Sequence, residues 1–258
     1  MSNELYIKRD GAIATLIFNR PEKKNSFNLA MYHHLSTLMD ELEQDSSIKV
    51  LIVRGVDETA FSAGADISEF LEVRFHAEKA KEYNDIALGA IEKLYRFSKP
   101  TIALIRKLAI GGGLEFANSC DFRFASTGSK LGITAANVGI IYNLTSTKRL
   151  YNLIGPSKTK ELLYTAKLIS AEEGRDIGLI DYVYAGDEIE KACLDFATKI
   201  IEKSSVSNIG IKQVIQAIVD GANEEDEQIR NVILDSFSSD DYQEGIQAFL
   251  EKRKPNFS

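Results

Sequence analysis

Two glycine-rich turns, Phe61-Ser62-Ala63-Gly64-Ala65-Asp66 and Gly111-Gly112-Gly113-Leu114-Glu115, lie about 45 residues apart, each after an apolar, strand-like run. Glycine at the start of a helix lowers helix propensity and bares the first N–H groups, so something approaches that backbone closely. Gly64 lets the chain turn sharply and leaves the Ala65 N–H outside regular structure. Each segment also has a plainer reading: a tight turn for the first, close packing of helix on strand for the second. Together they supply two N–H donors that can meet at one point, the parts of an oxyanion hole, and the dipole of the second helix favours negative charge there. Glu115 follows Gly112 by three residues, so its carboxylate shares that helix face. Asp66 reads first as a helix cap ahead of 67–71.

The rest of the chain predicts what carries these turns. Asp10-Gly11 between β-rich runs at 5–8 and 12–18 predicts an opening hairpin. Asn28 caps a helix to about residue 45, in which Leu29, Tyr32, Leu35, Leu38, Met39 and Leu42 recur at helical spacing. Strands are expected at 50–53, 101–105 and 121–125, with a long helix marked by Ala80, Tyr83, Ala87, Ile91 and Leu94 that stops before Pro100. This alternation argues an α/β class with at least partly parallel strands, because parallel neighbours need crossovers. Beyond residue 144 strand signals fade, and helices are expected at 144–153, 156–165, 171–177 behind Ser170, 187–203 and onward. Gly155-Pro156 is the one candidate hinge.

Composition removes several function classes. The net charge of −7 disfavours nucleic acid and anionic membranes as partners, and no apolar run approaches the roughly 20 residues of a membrane span. The opening Met1-Ser2-Asn3-Glu4 lacks a signal pattern, so the cytoplasm is the expected location. Cys120 and Cys193 read as reduced thiols in or near the core. Neither a Gly-Lys-Ser/Thr phosphate loop nor a Gly-x-Ser-x-Gly elbow occurs, and Phe116 fills the third glycine place of a dinucleotide fingerprint. His33, His34 and His76 have no metal-binding partner pattern, and no metal site is expected. Lys23-Lys24 and Lys252-Arg253-Lys254 are basic islands that gain meaning only beside a phosphate-bearing ligand.

The strings Asn19-Arg20-Pro21-Glu22-Lys23-Lys24-Asn25-Ser26, 61–67, Gly111 to Glu115 with Cys120-Asp121, and Ser170-Ala171-Glu172-Glu173-Gly174 through Gly178-Leu179-Ile180 resemble the enoyl-CoA hydratase/isomerase (crotonase) superfamily over essentially the whole chain. The resemblance implies a spiral of ββα units over 1–190 and a helical C-terminal region over 191–258 that assembles trimers, or dimers of trimers. It implies an acyl-CoA substrate with no cofactor beyond its coenzyme A moiety. The thioester oxygen would sit between the N–H groups of Ala65 and Gly112, and Ala63, Asp66, Ile67, Lys24 and, from a neighbouring subunit, Lys252 would contact coenzyme A.

Hydratases of this family use two glutamates, and Ala135 stands where the second is expected, which leaves Glu115 alone. The run from Thr134 through Tyr142-Asn143-Leu144 and the ending from Asp241-Tyr242-Gln243-Glu244-Gly245 to Phe257 resemble the methylmalonyl-CoA decarboxylase branch. Ala65 departs from that branch, which can carry His there. Decarboxylation of a malonyl-type CoA is therefore the leading expectation, with Glu115, Thr134 and Tyr142 around the acyl head. Hydration or double-bond isomerisation of an enoyl-CoA is the runner-up, and a non-catalytic acyl-CoA-binding paralogue the third reading. By family analogy the span 74–84 shapes the acyl pocket.

Overall fold

The computed structural model describes residues 4–257. Asp10-Gly11 turns the chain between β1 (Leu5–Asp10) and β2 (Ile13–Phe18), which pair antiparallel. Asn28 accepts from the Met31 N–H and starts α1 (Leu29–Gln44), and β3 (Val50–Gly55) follows. A 3-10 turn at Ile67–Glu69, capped by Asp66, leads into the short α2 (Phe70–Val73) and then α3 (Ala77–Tyr95). Next come β4 (Thr101–Ile105), β5 (Leu108–Ile110), α4 (Gly112–Asn118), β6 (Phe122–Ser126) and β7 (Lys130–Gly132). A 3-10 turn at Ala135–Val138 precedes α5 (Leu144–Thr165), β8 (Ile169–Ser170), α6 (Ala171–Asp176), β9 (Tyr182–Tyr184) and α7 (Ile189–Ile201). Three helices close the chain: α8 (Ser205–Val219), α9 (Glu227–Ser236) and α10 (Asp240–Glu251).

The strands form a six-stranded sheet in the order β1-β2-β3-β4-β6-β9, parallel from β2 onward, and a small sheet β5-β7-β8. Two isolated parallel bridges, Phe27 with Ala65 and Ser62 with Ala109, line up with the small sheet's strands along the chain. Each turn of the chain therefore runs strand, short extended segment, helix, and the result is the expected spiral of ββα units. Period-two alternation sends Ala14, Leu16, Phe18, Leu51, Val53, Ala103 and Ile105 to an inner core with α1, α3 and α4. The opposite faces of the same strands, Val50, Ile52, Ile102, Leu104 and Phe124, pack against Ile189, Cys193 and Ala197 of α7. Burial on both faces explains the unbroken apolar run Val50-Leu51-Ile52-Val53. Both cysteines are buried thiols, pushed up to about 12 by burial.

Four strands escape the sequence pattern. β5, β7, β8 and β9 are two or three residues long, too short to show an alternation, and two of them lie beyond residue 144, where only helices were expected. The pair of helices expected around Gly155-Pro156 is present: α5 is two helices joined across a kink at Gly155 (φ 71°, ψ 174°), and Pro156 follows at the start of the second. The boundary expected at 190/191 falls within α7, which packs on the sheet. No helix among the described residues is long and apolar enough to cross a membrane.

Candidate active site

The two glycine turns meet because their backbones touch. Gly64 has φ +92°, a conformation L side chains rarely adopt, and a Cβ there would stand 2.7 Å from the Ile110 carbonyl oxygen and 2.8 Å from the Gly112 nitrogen. At Gly113 a Cβ would lie 2.1 Å from the Ser62 carbonyl oxygen, so α4 can approach the 61–65 segment only with glycine at that position. Gly112 differs: its Cβ would enter the space 3.6 Å from the Ala65 nitrogen and 3.6 Å from the Tyr32 hydroxyl. Among the described residues neither the Ala65 N–H nor the Gly112 N–H has a hydrogen-bond acceptor, while their neighbours Gly64, Asp66 and Gly111 all donate. Two free donors beside one gap, one of them at the positive end of α4, are what an oxyanion requires.

Buried side chains hold this geometry. The Phe27 N–H donates to the Gly64 carbonyl at 2.7 Å, the Asp66 N–H to the Phe27 carbonyl at 2.8 Å, and the Ala63 N–H to the Lys24 carbonyl at 2.9 Å. Asn25, in a left-handed conformation (φ +53°), donates its amide to the Ala60 carbonyl at 2.7 Å, and its own carbonyl accepts from Ser62 Oγ at 2.8 Å. Arg20 pairs with the Asp66 carboxylate at 2.9 Å, and Ser68 Oγ donates to that carboxylate at 2.6 Å. Burial alone would push the Asp66 carboxyl up; the Ser68 hydrogen bonds and the Arg20 guanidinium outweigh it and hold it below its usual range. Beneath the site Phe27, Phe18 and Phe116 form a cluster with ring centroids 4.4–5.2 Å apart, tying α4 to the 19–27 segment. Each such pair contributes about 0.5–1.5 kcal/mol beyond the area it buries.

Glu115 is 6% exposed. Its Oε1 accepts from Ser146 Oγ and lies 3.8 Å from Arg149 Nη1, and its Oε2 accepts from the Tyr142 hydroxyl at 3.2 Å. Burial raises its pKa, against the pull of Ser146, Arg149, Tyr142 and Arg74. The Tyr142 hydroxyl is pushed well above its ordinary range by burial first and then by the Glu115 charge, so it stays a proton donor to that carboxylate. Arg149 is itself fixed from three sides, by an ion pair with Glu92, by Ser119 Oγ at 3.3 Å and by the Tyr95 ring, whose centroid is 4.3 Å from its Cζ.

These groups open on one cavity of about 350 Å³ lined by Ala63, Ala65, Ile67, Gly112, Glu115, Thr134, Ala135 and Tyr142, with Phe70, Arg74, Tyr83 and Asn84 on the far wall. The structure thus brings together Ala65, Gly112, Glu115, Tyr142 and Thr134, with Ala63 and Ile67 on the wall. It places the Asp66 carboxylate behind the wall, on Arg20 and Ser68. Lys24 is exposed outside the cavity lining, and Lys252 lies at the end of α10, also outside it. Ser146 and Arg149 were missed. A signal existed: Asn143 caps α5 by accepting from the Ser146 N–H at 2.9 Å, which puts Ser146 and Arg149, three apart, on one face directly after Tyr142. Among the described residues Glu115 is the only carboxylate on the cavity wall, and Ala135 presents a methyl group.

A spiral of ββα units whose glycine turns converge on two free N–H groups beside a buried carboxylate has the site of an oxyanion-stabilising enzyme. The chain belongs to the enoyl-CoA hydratase/isomerase family, whose model matches residues 8–258. It is 31% identical over 256 residues to a short-chain-enoyl-CoA hydratase of Clostridium acetobutylicum, covering 98% of this chain and 96% of that protein. It is 34% identical over 259 residues to a probable enoyl-CoA hydratase of Bacillus subtilis, covering 99% and 98%. An enoyl-CoA hydratase/carnithine racemase from Magnetospirillum magneticum superposes with a TM-score of 0.95 at 31% identity, covering 100% of this chain and 96% of that one. The expected superfamily holds. These relatives bear hydratase names, which favour the runner-up reaction over the leading expectation of decarboxylation.

Proposed function

We propose that the chain acts on the double bond of an enoyl-CoA thioester, by hydration or by double-bond isomerisation. The observation that carries this reading is the pair of acceptor-free N–H groups at Ala65 and Gly112 facing the same cavity as the buried Glu115 carboxylate. The full-length similarity to proteins named as hydratases supports it. The N–H pair takes the thioester oxygen as charge develops on it, typically contributing several kcal/mol to reaching an enolate. In isomerisation Glu115 removes a proton from one carbon, electrons move through the double bond to the thioester oxygen, and the same carboxyl returns the proton at the other end. In hydration Glu115 takes a proton from water as its oxygen bonds to the β-carbon, and the α-carbon of the enolate then takes the proton back. A raised pKa suits a group that must both accept and return a proton.

One observation favours a second reading. Ala135 leaves the cavity with a single carboxylate, and loss of CO2 from a malonyl-type CoA reaches the same enolate with no base for C–H abstraction. Tyr142 and Thr134 would then surround the departing group. In both readings Ala63 and Ile67 contact the coenzyme A arm, Lys24 reaches its phosphates, and Lys252 does so from a neighbouring subunit of a homotrimer or a dimer of trimers. Exposed Ile211, Ile215, Phe249 and Leu250 on the closing helices support such self-association, which light scattering would measure. The deciding experiment incubates the pure protein with crotonyl-CoA, a 3-enoyl-CoA and methylmalonyl-CoA and weighs the products. Gain of water or a shifted double bond supports the first reading, whereas release of CO2 alone overturns it in favour of the second. Binding without any product would leave an acyl-CoA-binding protein and sink both.

A further inference from the structure

The far wall of the cavity holds a charge that the chemistry above does not use. Among the described residues Arg74 is its only basic side chain, and it forms no ion pair with any of them. One guanidinium nitrogen, Nη2, donates to Asn84 Oδ1 at 3.0 Å, and the group lies over two rings, 4.9 Å from the Phe70 centroid and 5.1 Å from that of Tyr83. Its remaining donors have no acceptor among the described residues. Elsewhere in the molecule the buried or half-buried arginines Arg20, Arg54, Arg106, Arg123 and Arg149 each have a carboxylate partner. A guanidinium held flat by aromatic faces and a side-chain amide, with its fork open to a cavity, is preorganised for a planar anion, which it grips with two parallel hydrogen bonds.

We propose that Arg74, steadied by Asn84 and the Phe70 and Tyr83 rings, binds a carboxylate carried by the acyl chain, so that the substrate is the CoA thioester of a dicarboxylic acid. The proposal rests on the acyl-CoA reading and concerns a carboxylate farther along the acyl chain, distinct from the one a malonyl-type CoA would lose beside Tyr142 and Thr134. Position separates an acyl carboxylate from the phosphates of coenzyme A. Tyr83 packs edge-on against Tyr32 at 5.9 Å, and the Tyr32 hydroxyl borders the gap between the Ala65 and Gly112 donors. Arg74 therefore stands one aromatic layer from the thioester oxygen and close enough to Glu115 to lower its proton affinity. The pantetheine arm holds the phosphates many bonds away from that point.

The test is calorimetric binding to the full-length protein, which needs no turnover, using glutaryl-CoA, valeryl-CoA and free coenzyme A. Loss of a charge-assisted pair corresponds to about 10- to 100-fold in affinity. The intact protein is expected to prefer glutaryl-CoA over valeryl-CoA by that factor, Arg74→Met to lose the preference, and Arg74→Lys to keep part of it. Equal affinity for glutaryl-CoA and valeryl-CoA in the intact protein would overturn the proposal and leave the acyl-CoA reading standing. A parallel loss for all three ligands in Arg74→Met would assign Arg74 to a coenzyme A phosphate and overturn it too. Failure of all three to bind the intact protein would overturn the acyl-CoA reading itself.

Discussion

The cavity has two walls of opposite construction. The wall made of 60–66 and 111–116 is locked: backbone hydrogen bonds from Phe27, Ala63 and Asp66, the Asn25 amide, the Arg20–Asp66 pair and a phenylalanine cluster all bear on it. The facing wall, 67–84 with 133–143, is made of 3-10 turns, a four-residue helix and the start of a long one. It leaves Leu71 74% and Ile141 94% exposed. The locked wall holds the two donors and Glu115, which on the proposed reading every substrate needs alike. The open wall holds Arg74, Thr134 and Tyr142, which on the same reading meet the part of a substrate that differs. Rigidity is thus concentrated where an error of an ångström would cost rate, and freedom where pockets diverge.

Damage to the locked wall should give the largest effects. Gly64→Ala forces a left-handed alanine against the Ile110 carbonyl and the Gly112 nitrogen, displacing both donors at once. Activity is expected to fall by at least about 10³-fold, since one oxyanion donor alone is worth about 10²–10³. Overpacking of this kind also costs about 1–3 kcal/mol, which a thermal melt would register as several degrees. A variant with wild-type rate and melting point would show that the two turns do not need their present approach.

Glu115→Gln keeps the volume and removes the proton acceptor. A rate loss on the order of 10³-fold is expected, within the usual range for a general base, with the fold retained by circular dichroism. Unchanged turnover would strip Glu115 of its role. Asp66→Asn tests whether the lock matters beyond folding. It can keep the Ser68 bonds but weakens the pair with Arg20, at about 1–3 kcal/mol for a charged hydrogen bond. The expected signature is a fall in kcat with little change in KM, because Ala65, next in the chain, loses its placement.

Arg149 joins the two walls through Glu115 and tests the electrostatics. Facing that carboxylate are Ser146 and Arg149 of α5, Tyr142, Arg74 beyond α2 and Tyr32 of α1. Burial lifts Glu115 above the ordinary carboxylate value of about 4.3. As a base it works only when ionised, so kcat/KM should rise with pH through that lifted value. Arg149 opposes the lift, and Arg149→Gln should therefore move the acid limb to higher pH, with Arg149→Lys moving it less. A limb that stays put in both variants would detach Arg149 from the proton chemistry.

The locked wall was also the more legible in sequence, for a physical reason. Gly64 and Gly111 to Gly113 are expensive residues in those positions, and their cost announces a close backbone approach. The long elements were equally visible, because Asn28, Ser170 and the 3.6-residue stripes are local signals. Strands β5, β7, β8 and β9 were not, since two or three residues carry no period and are held by neighbours distant in the chain. Ser146 and Arg149 are ordinary residues on an ordinary helix, and only the path of α5 past Glu115 gives them a role. The open wall wrote little into its sequence because its side chains answer to a ligand, and Arg74 was readable only as part of a variable span.

The smallest effect is expected on that wall. Ile141 lines the cavity with its side chain almost wholly exposed, so Ile141→Ser removes little buried area and should change stability by less than about 0.5 kcal/mol. It should still raise KM modestly for longer acyl chains, since losing apolar contact at one or two methylene groups is worth about 0.8 kcal/mol each. A melt paired with KM across acyl-CoA chain lengths separates the two quantities. Should the melting point instead drop by several degrees, Ile141 would be structural cover, and the contrast between a locked and an open wall would fail at the residue where it is most pronounced.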